Sequence, residues 1–318
     1  MTSILALDFG GTKHTLGVLE EGGREWRARQ QVFSPPGADA RYDLETVFKL
    51  ARQLLNGNQP AAIGVSFGGP VDASTSTVRL SHHVPGWENI PLGKILREEF
   101  NAPAQVDNDA NVAALGEGRF GVGQGMRSMF YITVSTGVGG GWLLDGQIWR
   151  GSDGMAGEIG HTVVQPDGPT CLCGKRGCVE RLASGRYMAL DARLRLQEDS
   201  KAGPTLWNEY SDHLEALDGK ALSRAASQGD PLACQLLERS AWALGVGIGN
   251  AANLLNPQRF ILGGGVTKAG EAWWQTLRVT ARQTALPEVH FDILQAVLGD
   301  DAPLWGAAAL ALDLLMAR

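Results

Sequence analysis

One imidazole and three thiols gather in the middle of the chain, at the spacing His161-x9-Cys171-x-Cys173-x4-Cys178. Zinc takes four such ligands tetrahedrally, and a Cys3His set leaves no coordination position open, so the metal would be structural. Gly168, Gly174 and Gly177 allow the loop to close tightly around an ion. The competing reading is three reduced cysteines without a metal. A zinc-ribbon module for nucleic acid is disfavoured, because only Lys175, Arg176 and Arg181 add local positive charge. Cys234, alone in a helical stretch, reads as a buried core cysteine.

Three glycine turns suit an anion. In Asp8-Phe-Gly10-Gly11-Thr12-Lys13, successive amides, a hydroxyl and an ammonium can converge on phosphate oxygens. The spacing is not that of a P-loop. Asp8 closes an apolar strand, where it could orient a magnesium-bound water. Ser135-Thr136-Gly137-Val-Gly139-Gly140-Gly141 offers the same chemistry a second time, and Gly263-Gly264-Gly265 a third. A plain hairpin explains any one of these; together they favour a polyphosphate ligand.

Carboxylates complete the set. Asp107-Asn108-Asp109 lies where a strand gives way to a helix, the edge at which ligand-facing groups project in open α/β sheets. On local pattern alone Asp109 reads as an N-cap rather than a base. Glu158, His161 and Glu180 bracket the cysteine loop, so a zinc-fixed loop would hold both carboxylates and the far imidazole nitrogen towards a polyhydroxyl ligand. His14, His82, His83, His213 and His290 show no ligand spacing and read as surface or core residues.

These groups need a scaffold, and hydrophobic periodicity supplies one. Strands are expected at 4–7, 61–67, 104–106, 259–262 and 291–294, and helices at 43–55, 91–100, 109–120, 231–255, 271–285 and 302–316. The alternation argues for an α/β fold. The segments from Ile4 and from Tyr131 each read as strand, small-residue turn, strand and hairpin, with Gly10 aligned to Gly137. That pattern suggests two related halves, or else two ordinary hairpins. The stretch 197–227 is polar and carries no assigned element. Helix 241–255 suits either an interface or a buried core.

Composition narrows the class. A chain of 318 residues is long enough for one large domain or two medium ones without disulfide staples. A net charge of −6 argues against nucleic acid as the partner. The first apolar run carries Asp8 and lacks a basic leader, and the longest apolar stretch is broken by glycines and asparagines. A secretory signal and a membrane span are therefore not expected, and the cytoplasm is.

Taken together, the motifs resemble the ROK family (repressors, open reading frames, kinases), and within it the sugar kinases, above all the bacterial glucokinases. The likeness runs almost end to end: 8–13, Gly64-Val-Ser-Phe-Gly-Gly-Pro-Val-Asp72, Pro85-Gly-Trp87, 108–117, 135–141, Ala156-Gly-Glu-Ile-Gly-His161, 171–180 and 262–266. Its specific part is Glu-x-Gly-His combined with Cys-x-Cys-Gly-x-x-Gly-Cys-x-Glu. The resemblance implies an actin-like ATPase (ribonuclease H-like, hexokinase-type) fold with two α/β domains around a central cleft. Residues 1–108 with 302–318 would form one domain, and 109–301 the other.

The resemblance also implies roles. Asp109 becomes the general base that takes the proton from a sugar hydroxyl, reversing the N-cap reading. Asn108, Glu158, His161 and Glu180 would hold the sugar. Asp8, Gly10, Gly11, Thr12 and Lys13, with Thr136, Gly137, Gly139, Gly140 and Gly141, would hold the phosphates of ATP with Mg2+. Gly263, Gly264 and Gly265 would lie by the nucleoside. Zinc on His161, Cys171, Cys173 and Cys178 would be structural, and the protein a homodimer.

Glucose is the expected sugar, with N-acetylmannosamine, N-acetylglucosamine and, less closely, fructose as alternatives, and polyphosphate as an alternative donor. Where the family more often has Pro-Gly before Val-Asp, this chain has Gly68-Gly69-Pro70, which bears on fine specificity and not on reaction class. Family regulators carry a further N-terminal helix-turn-helix. Strand 4–7 begins too early for one here, so a DNA-binding repressor is not expected. A sugar-binding sensor would be expected to have lost the base.

Overall fold

Every residue of β1 (Ser3–Phe9) is buried, apolar and polar alike. A strand covered on both faces reads as a continuous apolar run, which is what Ile4-Leu-Ala-Leu7 provides. The structure, a computed structural model, describes residues 2–81 and 83–316, so His82 lies outside the described residues. β2 (Lys13–Glu20) and β3 (Trp26–Phe33) follow, then α1 (Ala40–Leu55), β4 (Ala62–Phe67) and the two-residue strands β5 (Val71–Asp72) and β6 (Thr77–Val78). Next come α2 (Leu92–Phe100), β7 (Ala104–Asn108) and α3 (Asp109–Phe120). The sheet order is β3-β2-β1-β4-β7, with β1, β4 and β7 parallel and the β1–β2–β3 pairs antiparallel.

A second sheet is built from β8 (Ser128–Val134), β9 (Val138–Leu144) and β10 (Gln147–Trp149). After α4 (Val179–Ala183), α5 (Gly185–Glu198), α6 (Pro204–Tyr210), α7 (Gly219–Ser227) and α8 (Pro231–Leu255) it resumes with β11 (Arg259–Gly263). α9 (Glu271–Thr284), β12 (Asp292–Gln295) and α10 (Ala302–Met316) finish the chain. Its order, β10-β9-β8-β11-β12, repeats that of the first sheet strand for strand. The two look-alike segments therefore occupy matching places, which bears out the reading of two related halves and the α/β class.

By internal contacts the chain divides into two units, residues 1–127, 141–156 and 297–318, and residues 128–140 and 157–296. α10 belongs with the first unit. So does α3, which the expected boundary at residue 108 puts in the other domain; α3 packs on α10. α10 also covers β1 and β4. It can do so because Gly64 has no side chain: a Cβ there would stand 1.8 Å from the Ala307 carbonyl oxygen.

Several local expectations change. The polar stretch 197–227 contains α6 and α7; α7 turns Ala221, Leu222 and Ala225 inward between polar neighbours, a stripe too narrow to stand out. β3 is mostly polar because it is an edge strand with its residues largely open to water. α8 is a core helix, with Ala241, Ala243, Leu244, Gly245, Gly247 and Ile248 buried. Cys234 is exposed, contrary to expectation, because Leu232, Ala233, Leu236 and Leu237 define the inward face of α8. No helix among the described residues is long and apolar enough to cross a membrane.

Candidate active site

In the first unit the candidate residues sit at strand ends. Asp8, in β1, is buried, and its Oδ1 accepts the Ser66 hydroxyl of β4 at 2.8 Å. Burial pushes this carboxyl up to about 7, against the pull of Ser66, and the nearby charge of Asp109 pushes the same way. Gly10 donates its amide to the Lys13 carbonyl at 3.0 Å, which closes the turn on itself. The amide of Gly10 is thus engaged within the loop. Behind the loop His14 lies in the core, not on the surface, with Nε2 2.8 Å from Asp43 Oδ1. Trp87 adds its indole N–H to the same carboxylate at 3.3 Å.

The β7–α3 corner settles which residue caps the helix. Asn108 is the N-cap: its Oδ1 accepts the Ala110 amide at 3.0 Å, while its Nδ2 donates to the Gly69 carbonyl at 3.1 Å. Asp109 is the first residue of α3, with Oδ1 2.8 Å from the Ala110 amide and Oδ2 against Gly68. The capping role read for Asp109 therefore belongs to its neighbour. Gly141 also lies in this unit, against Ala110 and Asn111 of α3.

The second unit holds the remaining candidates. The Ser135 amide donates to Gly137 at 2.9 Å, forming the turn before β9. Glu180, in the first turn of α4, accepts the Val138 amide on Oε2 at 3.0 Å. A Cβ at Gly137 would lie 2.8 Å from that oxygen, so a larger residue there would push the carboxylate aside. Glu158 is exposed just before a 3-10 turn, Ile159–His161, in which His161 donates its amide to the Glu158 carbonyl at 3.1 Å. Gly263 ends β11, and Gly264 has φ +89°. A single 3-10 turn, Gly265–Lys268, comes next, and α9 begins only at Glu271.

Around His161 the four proposed ligand atoms lie within 4.8 Å of one another. Cys173 Sγ is 3.6 Å from Cys178 Sγ, and Cys171 Sγ is 4.0 Å from His161 Nδ1. Tetrahedral zinc with its usual bond lengths places ligand atoms about 3.6–3.8 Å apart, so the donor set fits the ion. Burial pushes the Cys178 thiol up to about 12, and its sulfur neighbours push the same way, as expected where thiols crowd without a cation. Nδ1 faces the sulfurs, which leaves Nε2 as the nitrogen that can face a ligand. A cavity of about 850 Å3 elsewhere in this unit is lined by Asp191, Arg195, Arg239 and Trp242 and by none of the candidates.

Sequence reasoning missed two partners. Ser66 stands inside a quoted motif, and its hydroxyl gave the signal; Arg150, which pairs with Asp107 at 2.6 Å, gave none.

Two α/β halves of like strand order, each opening on a glycine turn, define an actin-like ATPase fold. The chain belongs to the ROK family, whose sequence profile matches residues 4–314. A glucokinase of Thermotoga maritima is 32% identical over 96% of this chain and 96% of its own. An N-acetylmannosamine kinase of Escherichia fergusonii is 34% identical, over 96% of this chain and 97% of its own. Among solved structures, a ROK family glucokinase from Streptomyces griseus in complex with glucose and AMPPNP matches with a TM-score of 0.81 at 35% identity, covering 98% and 99% of the two chains.

Proposed function

We propose that the protein is an ATP-dependent hexose kinase that phosphorylates the 6-hydroxyl of glucose, with Asp109 as general base. One observation carries the reading: Asp8 and Asp109 are close enough for the charge of one to raise the pKa of the other, beside a glycine turn with a lysine. One carboxylate serves a cation and the other a proton. Magnesium bound with the nucleotide would neutralise charge on the phosphoryl group in transfer and relieve the repulsion at Asp8.

The chain's own residues do the rest. Asp109 takes the proton of the attacking hydroxyl, and the capping by Asn108 keeps that carboxylate at the start of α3. Glu158, Glu180 and His161 Nε2 hold ring hydroxyls, while Gly11, Thr12 and Lys13 with Thr136, Gly137, Gly139, Gly140 and Gly141 bind phosphates. Gly263, Gly264 and Gly265 pass close to the nucleoside. Phosphoryl transfer needs alignment and charge neutralisation more than covalent help, and these groups supply both. Zinc on His161, Cys171, Cys173 and Cys178 fixes the loop that carries two of the sugar contacts. The reading includes a cytoplasmic homodimer acting at the entry to glycolysis; the free thiol cluster suits a reducing compartment.

The glucokinase relatives support glucose, and the N-acetylmannosamine kinase relative supports the second reading, an amino-sugar kinase. A coupled ATP-to-ADP assay with magnesium against glucose, mannose, fructose, N-acetylglucosamine and N-acetylmannosamine decides. Highest kcat/KM on glucose is the expected result. Preference for an acetamido sugar would keep the mechanism and change the substrate, and turnover of none would overturn the kinase reading.

A further inference from the structure

Arg150 directly follows β10 of the β9–β10 hairpin, and no sequence motif singles it out. Its Nε and Nη2 both reach Oδ2 of Asp107, at 2.7 and 2.6 Å. Asp107 is only 2% exposed. Its other oxygen accepts the Asn108 amide at 2.8 Å and the Asn111 side-chain amide at 3.2 Å. One buried carboxylate thus joins the end of β7, the first turn of α3 and the hairpin. Asn108, Asp109 and Ala110 are the residues between Asp107 and Asn111. The Arg150 carbonyl also accepts the Ala156 amide at 3.0 Å, so the arginine is fixed at its backbone as well as its tip.

Exposed ion pairs stabilise little, but taking the cation from a buried carboxylate leaves an uncompensated charge. Here that charge would stand two residues before Asp109, and the corner would have to move to rehydrate it. We propose that Arg150 is a positioning residue: through Asp107 it sets the backbone of Asn108 and so the direction of the Asp109 carboxylate. The inference rests on the reading of Asp109 as the base. A misplacement of about 1 Å at a reacting group costs about a hundredfold in rate. Arg150 is partly open to water, with its side chain 35% exposed, so its replacement need not unfold the protein.

The test compares Arg150→Met, Arg150→Lys, Asp107→Asn and the double variant Asp107→Asn/Arg150→Met with the intact enzyme, in saturating and limiting glucose and ATP. Folding of each is read from zinc content and from the rise in Tm with glucose. Arg150→Met is expected to lower kcat about 10- to 100-fold, with KM for ATP changed less than about twofold. Arg150→Lys, which keeps one donor on Oδ2, should restore most of kcat. The double variant should be no worse than the poorer single one, since the two side chains act as a unit.

Unchanged kcat in Arg150→Met with a lowered Tm would overturn the proposal, because it would make the pair merely structural. So would strictly additive losses with glucose KM rising, since Arg150 would then touch the sugar itself. If the methionine variant fails to fold, Arg150→Lys and Asp107→Asn carry the same comparison. Asp109→Asn run alongside separates the two readings: activity there removes the base, whereas an inactive Asp109→Asn with a fully active Arg150→Met removes only the role of Arg150.

Discussion

Glu180 and Val138 tie the cysteine loop to the glycine turn, since one carboxylate oxygen of the first accepts the amide of the second at 3.0 Å. Cys178 stands two residues before Glu180, so a metal holding the cysteine would also steady the turn that precedes β9. A side chain assigned to the sugar on its residue type thereby also shapes the loop assigned to phosphate. Glu180→Gln keeps an acceptor for Val138 and loses the charge, whereas Glu180→Ala loses both. The glutamine variant should raise KM for glucose and leave KM for ATP near wild type. The alanine variant should raise KM for ATP as well, by about 10- to 150-fold for one lost hydrogen bond to a charged group. Equal ATP KM values in the two variants would argue against the tether.

Asp109→Asn removes the base while keeping the size and helix position of the side chain. Expected is a fall in kcat of about 10^2- to 10^4-fold, with glucose still raising Tm. Steady-state kinetics beside thermal melts check this, and residual activity close to wild type would refute the assignment.

Removal of the metal tests the cysteine cluster. Cys173→Ser should lower bound zinc and Tm together, because structural zinc binding is coupled to folding of its loop. Glucose affinity should fall with them, since His161 is assigned to both sites. Zinc by mass spectrometry and glucose titration are the measurements; unchanged zinc in the variant would sink the assignment.

The pH dependence of stability has a definite sign at Asp8. Its folded carboxyl titrates near 7, above the ordinary value of 3.8, so the folded state holds the proton more tightly than the unfolded one. The stability this contributes is fully present below about pH 4 and is lost as pH rises from there through 7. Asp8→Asn should flatten that part of the Tm-against-pH curve in metal-free protein. Magnesium with nucleotide should release a proton from wild type at pH 6 and not from the variant, as read by calorimetry in two buffers. Parallel Tm curves would contradict the raised carboxyl.

Much of this was legible in the residues. α3, α8 and α10 follow from runs of apolar and small residues, with Asp230 and Pro231 marking the start of α8. The Cys3His cluster was legible because four candidate ligands of one metal lie close in sequence, as was the repeated hairpin. The helices around Tyr187, Trp207 and Leu222 were not: α6 and α7 are short with narrow buried stripes, and α5, though 14 residues long, is largely polar, so all three look like polar loops. Asn108 as cap was hidden for a physical reason: adjacent Asn and Asp are equally good caps, and only the start of the turn decides. Arg150 was hidden because its partner is 43 residues away, and nothing local marks an arginine whose role is set by tertiary contact.

The last helix has a consequence for how the molecule is made. β1 and β4 leave the ribosome long before α10, which covers them. Throughout elongation the apolar face meant for Ala307 and Ala311 has no native cover, a state prone to aggregation. The second unit, nearly all of it one run from 157 to 296, is complete before that helix emerges. The second unit therefore has its whole sequence in hand before the first unit does. A nonsense mutation just before Ala302 would spare every candidate site residue and still forfeit the first unit.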